Sequence, residues 1–238
     1  MTPAVGQDAG SGVRKPAPAE ARWSAVDALI NDVVDRRLLS GAVTVAWRKG
    51  AVAHTSAIGR GDVAIAEPMR MDSIFRLFSM TKPVTAVAMM ILWDEGKWSP
   101  LDPIAKHLPE LADLKVLCGT ESDGTPLLAT PQTLPMIEYL MTHQAGFTYG
   151  FTDEPVDRAF HAAGVPTIPH DITAEEYLAR LAKVPLAFEP GTGWRYSVAM
   201  DVQGIIVERL SGMRLPDFML ERIFEPLGMV DTDFFVPA

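Results

Sequence analysis

The chain has 238 residues, 48% of them apolar and 21% charged, enough to bury a sizeable core as one large or two modest domains. Its formal net charge of -9 and sequence pI near 5.0 argue against binding nucleic acid through phosphates and against attraction to anionic membranes. Cys118 is the single cysteine, so no intrachain disulfide framework exists, in keeping with a reducing compartment.

Met1 to Glu20 are rich in Ala, Gly and Pro without an apolar run, so residues 1–20 read as a flexible tail that lacks the h-region of a signal peptide. The longest apolar runs elsewhere are far short of a membrane span, and a cytoplasmic protein with no membrane partner is expected. From Trp23 to Leu39, Val26, Leu29, Ile30, Val33 and Val34 follow helical spacing opposite Asp27, Asp32 and Arg36, which predicts an amphipathic helix. Gly41 opens an apolar, β-branched strand, Ala42 to Trp47. Arg48 to Ala51 then form a hairpin turn, and a second strand runs from Val52 to Ile58. The helix is expected to pack on this small antiparallel sheet, with Trp47 as a strand-packing residue rather than a ligand platform.

Between Phe75 and Gly96 the apolar positions Val84, Val87, Ala88, Ile91 and Leu92 predict a helix of about four turns, closed by Asp94-Glu-Gly96. Its other face carries Ala86, Met89, Met90 and Trp93, so a central, nearly all-apolar helix is expected with Ser79 at its first turn. Prolines and glycines from Pro100 to Pro135 divide the next stretch into short pieces. Leu134 to Thr142 then reads as a helix with Pro135 in its first turn, followed by His143, a proton carrier or, the preferred reading, a residue that caps carbonyls or holds a loop, and by Gly146. Phe147-Thr-Tyr-Gly-Phe151 is an aromatic loop, either the wall of a cleft or a packed loop. Thr173 to Leu181 reads as a capped surface helix, Phe188 to Gly193 as a turn, and Met200 to Leu210 and Leu215 to Phe224 as the last two helices.

Ser79 and Lys82 stand three residues apart, a spacing that puts hydroxyl and amine on one face of a helix start. A serine becomes a nucleophile when a neighbouring base takes its proton, and helix-start N–H groups favour the negative charge that develops on an attacked carbonyl. The alternative is an N-cap serine beside a solvated lysine. Tyr196 is a further proton carrier if the Lys82 ammonium stabilises its anion, or else a tyrosine that anchors a turn.

Three landmarks carry a family resemblance. Ser79-Met-Thr-Lys82, followed by Pro83-Val-Thr-Ala86 and Leu101-Asp-Pro-Ile-Ala-Lys-His-Leu-Pro109, resembles the serine β-lactamase and penicillin-binding-protein superfamily. Leu140-Met-Thr-His-Gln-Ala-Gly146 is similar to its Leu-x-Thr-His-x-x-Gly segment, and Gly191-Thr-Gly-Trp-Arg-Tyr-Ser-Val-Ala-Met-Asp201 to its tyrosine motif. The pattern is most similar to class C β-lactamase-like proteins and family VIII carboxylesterases, from about Leu38 onward. Where β-lactamases carry Tyr-x-Asn, this chain has Val198 in place of the amide, which favours an esterase.

The resemblance implies an α+β, β-lactamase/transpeptidase-like fold: an antiparallel sheet flanked by helices, over about 21–75, and an all-helical part over about 76–238. It implies ester hydrolysis through an acyl-enzyme on Ser79, with Lys82 and Tyr196 moving protons. Phe78, Tyr149, Phe151, Trp194 and Val198 are the candidate substrate-binding residues. No metal or organic cofactor is implied, and the expected partner is a small-molecule ester. A β-lactamase, a D-Ala-D-Ala peptidase, an acyltransferase of the same fold and a non-catalytic acyl-binding module are the alternatives. In the family, later strands complete the sheet, one of them with a Lys-Thr-Gly, His-x-Gly or Trp-Gly-Gly type motif, and nothing after Phe235 matches it. The expectation is an N-terminal portion of a longer protein, whose uncovered sheet is completed by a homo-oligomer or a second chain.

Overall fold

In a computed structural model of the chain, residues 19–168 and 171–235 are described, with side chains from residue 23 onward. Of the tail read over residues 1–20, Ala19 and Glu20 instead open the first helix, and the rest, with Val236 to Ala238, lies outside the described residues. The chain divides into two compact units, residues 1–76 and 77–238.

In the first unit, α1 (Ala19–Asp35) packs on a three-stranded antiparallel sheet ordered β1-β2-β3, formed by Gly41–Arg48, Ala51–Asp62 and Glu67–Pro68. The helix begins before the predicted Trp23 and stops at Asp35 instead of Leu39, because Arg37 turns to φ +58 and Leu38 N–H closes back on Val33 C=O at 3.0 Å. Along β2 the inward positions His54, Ser56 and Ile58 alternate with exposed ones. His54 stacks on Trp23 with ring centroids 5.1 Å apart, and its Nε2 lies 3.0 Å from Asp27 Oδ1, which ties α1 to the strand. Trp47, expected to pack within the strand, is instead 67% exposed, just beyond a register shift between Ala46 and Trp47. A bulge re-aims the side chains that follow it.

The second unit is organised around α7 (Ala199–Ser211). Helix α2 (Thr81–Asp94), α3 (Ile104–His107), α4 (Ile137–Met141) and α8 (Leu215–Met219) all pack against it. Its Val202, Ile206 and Val207 are fully buried with Met89, Leu92, Leu140 and Phe218. Helix α2 is therefore not the central one: Thr85, Ala88, Met89 and Leu92 are buried, whereas Val87, Met90 and Trp93 are exposed. An apolar side chain marks affinity for a core, and neighbours decide whether a core is there.

Four stretches differ from the sequence reading. Helix α4 begins at Ile137, because Pro135 C=O accepts Ile104 N–H at 2.8 Å and Met136 bridges to Pro103, which holds the preceding chain extended. A hairpin, β4 (Val116–Thr120) and β5 (Pro126–Ala129), makes this unit not all-helical. Helix α5 (Pro155–Ala162) occupies a stretch for which the sequence suggested no element, and α6 (Ala174–Leu181) is capped by Thr173 as its sequence predicts. The last helix runs past Phe224, through a π-helical turn Leu220–Phe224 and a turn Glu225–Leu227.

Candidate active site

Ser79 lies in a 3-10 turn, Phe78–Met80, that leads directly into α2, one step earlier than the helical first turn predicted. The residue before it, Phe78, has φ +45, a conformation that a bulky side chain holds only when the surroundings over-determine it. That twist presents the Ser79 hydroxyl beside Lys82, whose Nζ is 3.4 Å from Ser79 Oγ. Tyr196 enters from the loop before α7 and donates its hydroxyl to the same Oγ at 2.7 Å. Lys82 Nζ also lies 4.5 Å from the centre of the Tyr196 ring.

A second phenol reaches the lysine. Lys82 Nζ donates to Tyr149 Oη at 3.3 Å, and the Tyr149 O–H donates to Asp201 Oδ2 at 3.5 Å. These contacts are long, as catalytic hydrogen bonds often are before a ligand binds. The two phenols are pushed in opposite directions. Burial, then the Asp201 and Tyr196 charges, raise Tyr149 well above the ordinary phenol range. Tyr196 is also pushed up by desolvation, but hydrogen bonds from Lys82 and Ser79 and the Lys82 charge outweigh this and bring it below its ordinary value. Burial pushes the Asp201 carboxyl up to about 6, against the lowering effect of its own N–H, Lys82 and Tyr149.

The surroundings hold Tyr196 and Tyr149 in place. Arg195, next to Tyr196, donates Nη2 to the fully buried Asp157 at 2.9 Å, Nε to Thr148 Oγ1 at 3.1 Å and Nη1 to Glu154 at 2.5 Å. Asp157 also accepts from the hydroxyls of Thr148 and Thr152, so one buried carboxylate binds the Tyr149 loop to the Tyr196 loop. His143, at φ +59, packs its ring 5.1 Å from that of Tyr196, and its Nδ1 meets Ser197 Oγ at 3.2 Å. Burial and then the Lys82 charge hold its imidazole below its ordinary value, which favours the neutral ring. The Leu140-to-Gly146 landmark has a packing logic: Leu140 is fully buried, and a Cβ on Gly146 (φ +89) would come within 2.8 Å of Phe188 C=O.

Tyr149 stacks on Phe151 at 5.0 Å and Trp194 lies 6.5 Å from the Tyr196 ring, with Phe151, Trp194 and Phe78 each about two-thirds exposed. Val198 does not join them. Its side chain is fully buried and its N–H donates to Thr148 C=O at 3.3 Å, so the position expected to face a ligand is part of the core. Sequence reasoning missed Asp201 and the Arg195–Asp157 pair. The signal for Asp201 was the one acidic residue in the first turn of α7, five residues after Tyr196. Among the described residues no group of three or more His, Cys, Asp or Glu is placed to hold a metal ion.

Comparison of the whole sequence with family profiles matches the beta-lactamase family over residues 26–238. This chain belongs to the beta-lactamase family. Among relatives, it is 35% identical over 212 residues to the esterase EstB of Burkholderia gladioli, covering 88% of this chain and 50% of that protein. Among solved structures, EstCE1, described as a hydrolase with promiscuous acyltransferase activity, superposes with TM-score 0.76 at 28% identity, over 88% of this chain and 52% of that one. The simvastatin synthase LovD of Aspergillus terreus does so with TM-score 0.72 at 27% identity, over 86% and 52%. The chain spans about half the length of the curated relatives it matches. The fold is thus the α+β fold of the beta-lactamase family, with helices and small antiparallel sheets.

Proposed function

We propose that this chain is part of a serine hydrolase that cleaves carboxylic esters through an acyl-enzyme on Ser79. The observation that carries the reading is the convergence on one oxygen, Ser79 Oγ, of the Tyr196 hydroxyl at 2.7 Å and Lys82 Nζ at 3.4 Å. Ser79 Oγ attacks the ester carbonyl carbon while its proton passes to the Tyr196 phenolate, which the Lys82 ammonium stabilises. Collapse of the tetrahedral species breaks the carbon–oxygen bond to the alcohol, and Tyr196 returns the proton to the leaving oxygen. A water then attacks the acyl-enzyme by the same route in reverse, releasing the acid and restoring the Ser79 hydroxyl. Phe78, Phe151 and Trp194 supply apolar surface for the acyl or alcohol group.

An ester is preferred over a β-lactam because the position of the β-lactamase side-chain amide holds Val198, packed in the core. EstB supports the same preference. A second reading, transfer of the acyl group to an alcohol instead of water, is favoured by the likeness to EstCE1 and LovD. No helix among the described residues is long and apolar enough to cross a membrane. A fluorophosphonate probe tests the nucleophile: mass spectrometry should locate the label on Ser79, and equal labelling of Ser79→Ala would remove Ser79 from this role. Adding a competing alcohol separates the two readings by the product formed.

A further inference from the structure

Lys82 faces two phenols, and only Tyr196 also touches Ser79. Tyr149 accepts from Lys82 and donates onward to Asp201, so a carboxylate on α7 is joined to a lysine on α2 through a loop tyrosine 67 residues from the lysine. We propose that Asp201 acts on the Ser79 cluster through Tyr149, as a positioning residue that fixes where Lys82 Nζ sits and how much negative charge faces Tyr196. This rests on the reading of Ser79 as nucleophile.

The groups that face Asp201 come from every element around it. They are Lys82 of α2, Tyr149 of its loop, Tyr177 of α6, Tyr196, and Glu208, which shares a cavity with it. Lys82 alone among them is cationic. With Asp201 ionised, Tyr149 is held as a neutral donor, because burial and a neighbouring anion both oppose a second anion there. The ammonium is then free to favour only the Tyr196 anion, the one in contact with Ser79. The same negative charge opposes ionisation of Tyr196, so it adds an upward push on the pH at which that base becomes available, beside the larger effects of burial, Lys82 and Ser79. Asp201 also lines a cavity of about 300 Å³, with Tyr177, Ile205, Leu215 and Phe234, where a small molecule in solution can reach it.

The experiment uses the chain as it exists, in wild type, Asp201→Asn, Asp201→Glu, Asp201→Ala and Tyr149→Phe, each checked for folding by circular dichroism. Tyr196 ionisation is followed by tyrosinate absorbance, with Tyr196→Phe as the subtraction control. The pH dependence of fluorophosphonate labelling is followed in parallel. Asp201→Asn should move the Tyr196 midpoint to lower pH and shift the labelling profile with it, Asp201→Glu should restore both in large part, and formate should move Asp201→Ala back toward wild type. Tyr149→Phe should weaken the response by cutting the link to Lys82. An unchanged Tyr196 midpoint in Asp201→Asn, or an Asp201→Glu variant as shifted as Asp201→Asn, overturns the proposal. Should Ser79 take no label in any variant while the Tyr196 midpoint still moves, the nucleophile reading fails and the tuning role stands.

Discussion

Replacing Asp157 by Asn tests whether the buried carboxylate holds the two tyrosine loops together. Asn keeps the volume, but its NH2 group takes the place of one acceptor oxygen among four donors: the Thr148 and Thr152 hydroxyls, Thr152 N–H and Arg195. Removing one partner of a buried ion pair typically costs ~3–5 kcal/mol. Arg195 keeps Glu154 at 2.5 Å, so the lower end applies, roughly 3 kcal/mol. For a unit of this size each kcal/mol moves Tm by about 2–4 °C, so a loss of about 6–12 °C is expected by circular dichroism. Burial pushes the Asp157 carboxyl up, but the Thr148 and Thr152 hydrogen bonds and the Arg195 charge outweigh it and leave it below its ordinary value. A depressed carboxyl contributes fully above the unfolded value of about 3.9 and loses its contribution as pH falls through the folded value. The gap between wild type and Asp157→Asn should therefore stay level from pH 8 to about 5 and close only in more acid solution. A Tm within about 1 °C of wild type, or a gap already closing between pH 7 and about 5, would refute the role of Asp157 as the tie between the loops.

The carboxyl of Asp201 gives the opposite pH dependence. With a folded value of about 6, raised by burial, its ionisation weighs against the folded state above that pH and not below the unfolded value. Asp201→Asn should then melt above wild type at pH 7.5 by up to ~3 kcal/mol and match it near pH 4, and a variant less stable than wild type at pH 7.5 would count against a strained carboxylate. If Lys82 and Tyr196 act with Ser79 as a unit, Lys82→Ala and Tyr196→Phe should each slow Ser79 acylation by about two to four decades, and the double variant far less than their product. Additive losses would mean independent roles. Short p-nitrophenyl esters should exceed nitrocefin in kcat/KM by at least about a hundredfold, or roughly 2.7 kcal/mol of transition-state stabilisation, and comparable efficiencies would remove the ester preference. Gly146→Ala should lower Tm, since a Cβ there meets the backbone of Phe188 in a conformation that side chains rarely adopt; an unchanged melt would show that the loop yields.

Much of the architecture was legible because it depends on short-range periodicity. Helix α1, the β1–β2 hairpin and α7 follow the spacing of their apolar residues, and Ser79 and Lys82 are close because one turn of chain makes them so. Helix α5 and the β4–β5 hairpin were not legible, since each is short, the Asp123-Gly124 turn is flanked by too little alternating sequence to mark two strands, and tertiary packing decides whether such a stretch is ordered. The exposure of Trp47 and of the outer face of α2 and the burial of Val198 were likewise decided by neighbours remote in sequence. Sequence alone determined which local elements this chain forms and marked Ser79, Lys82 and Tyr196 by motif. The tertiary structure alone decided that Tyr196 meets Ser79 across 117 residues, that Tyr149 and Asp201 close on Lys82, and that Arg195 meets a buried Asp157. Such contacts leave no periodic trace, because the packing of whole elements brings them together, and their charges shift one another only once water has been excluded between them.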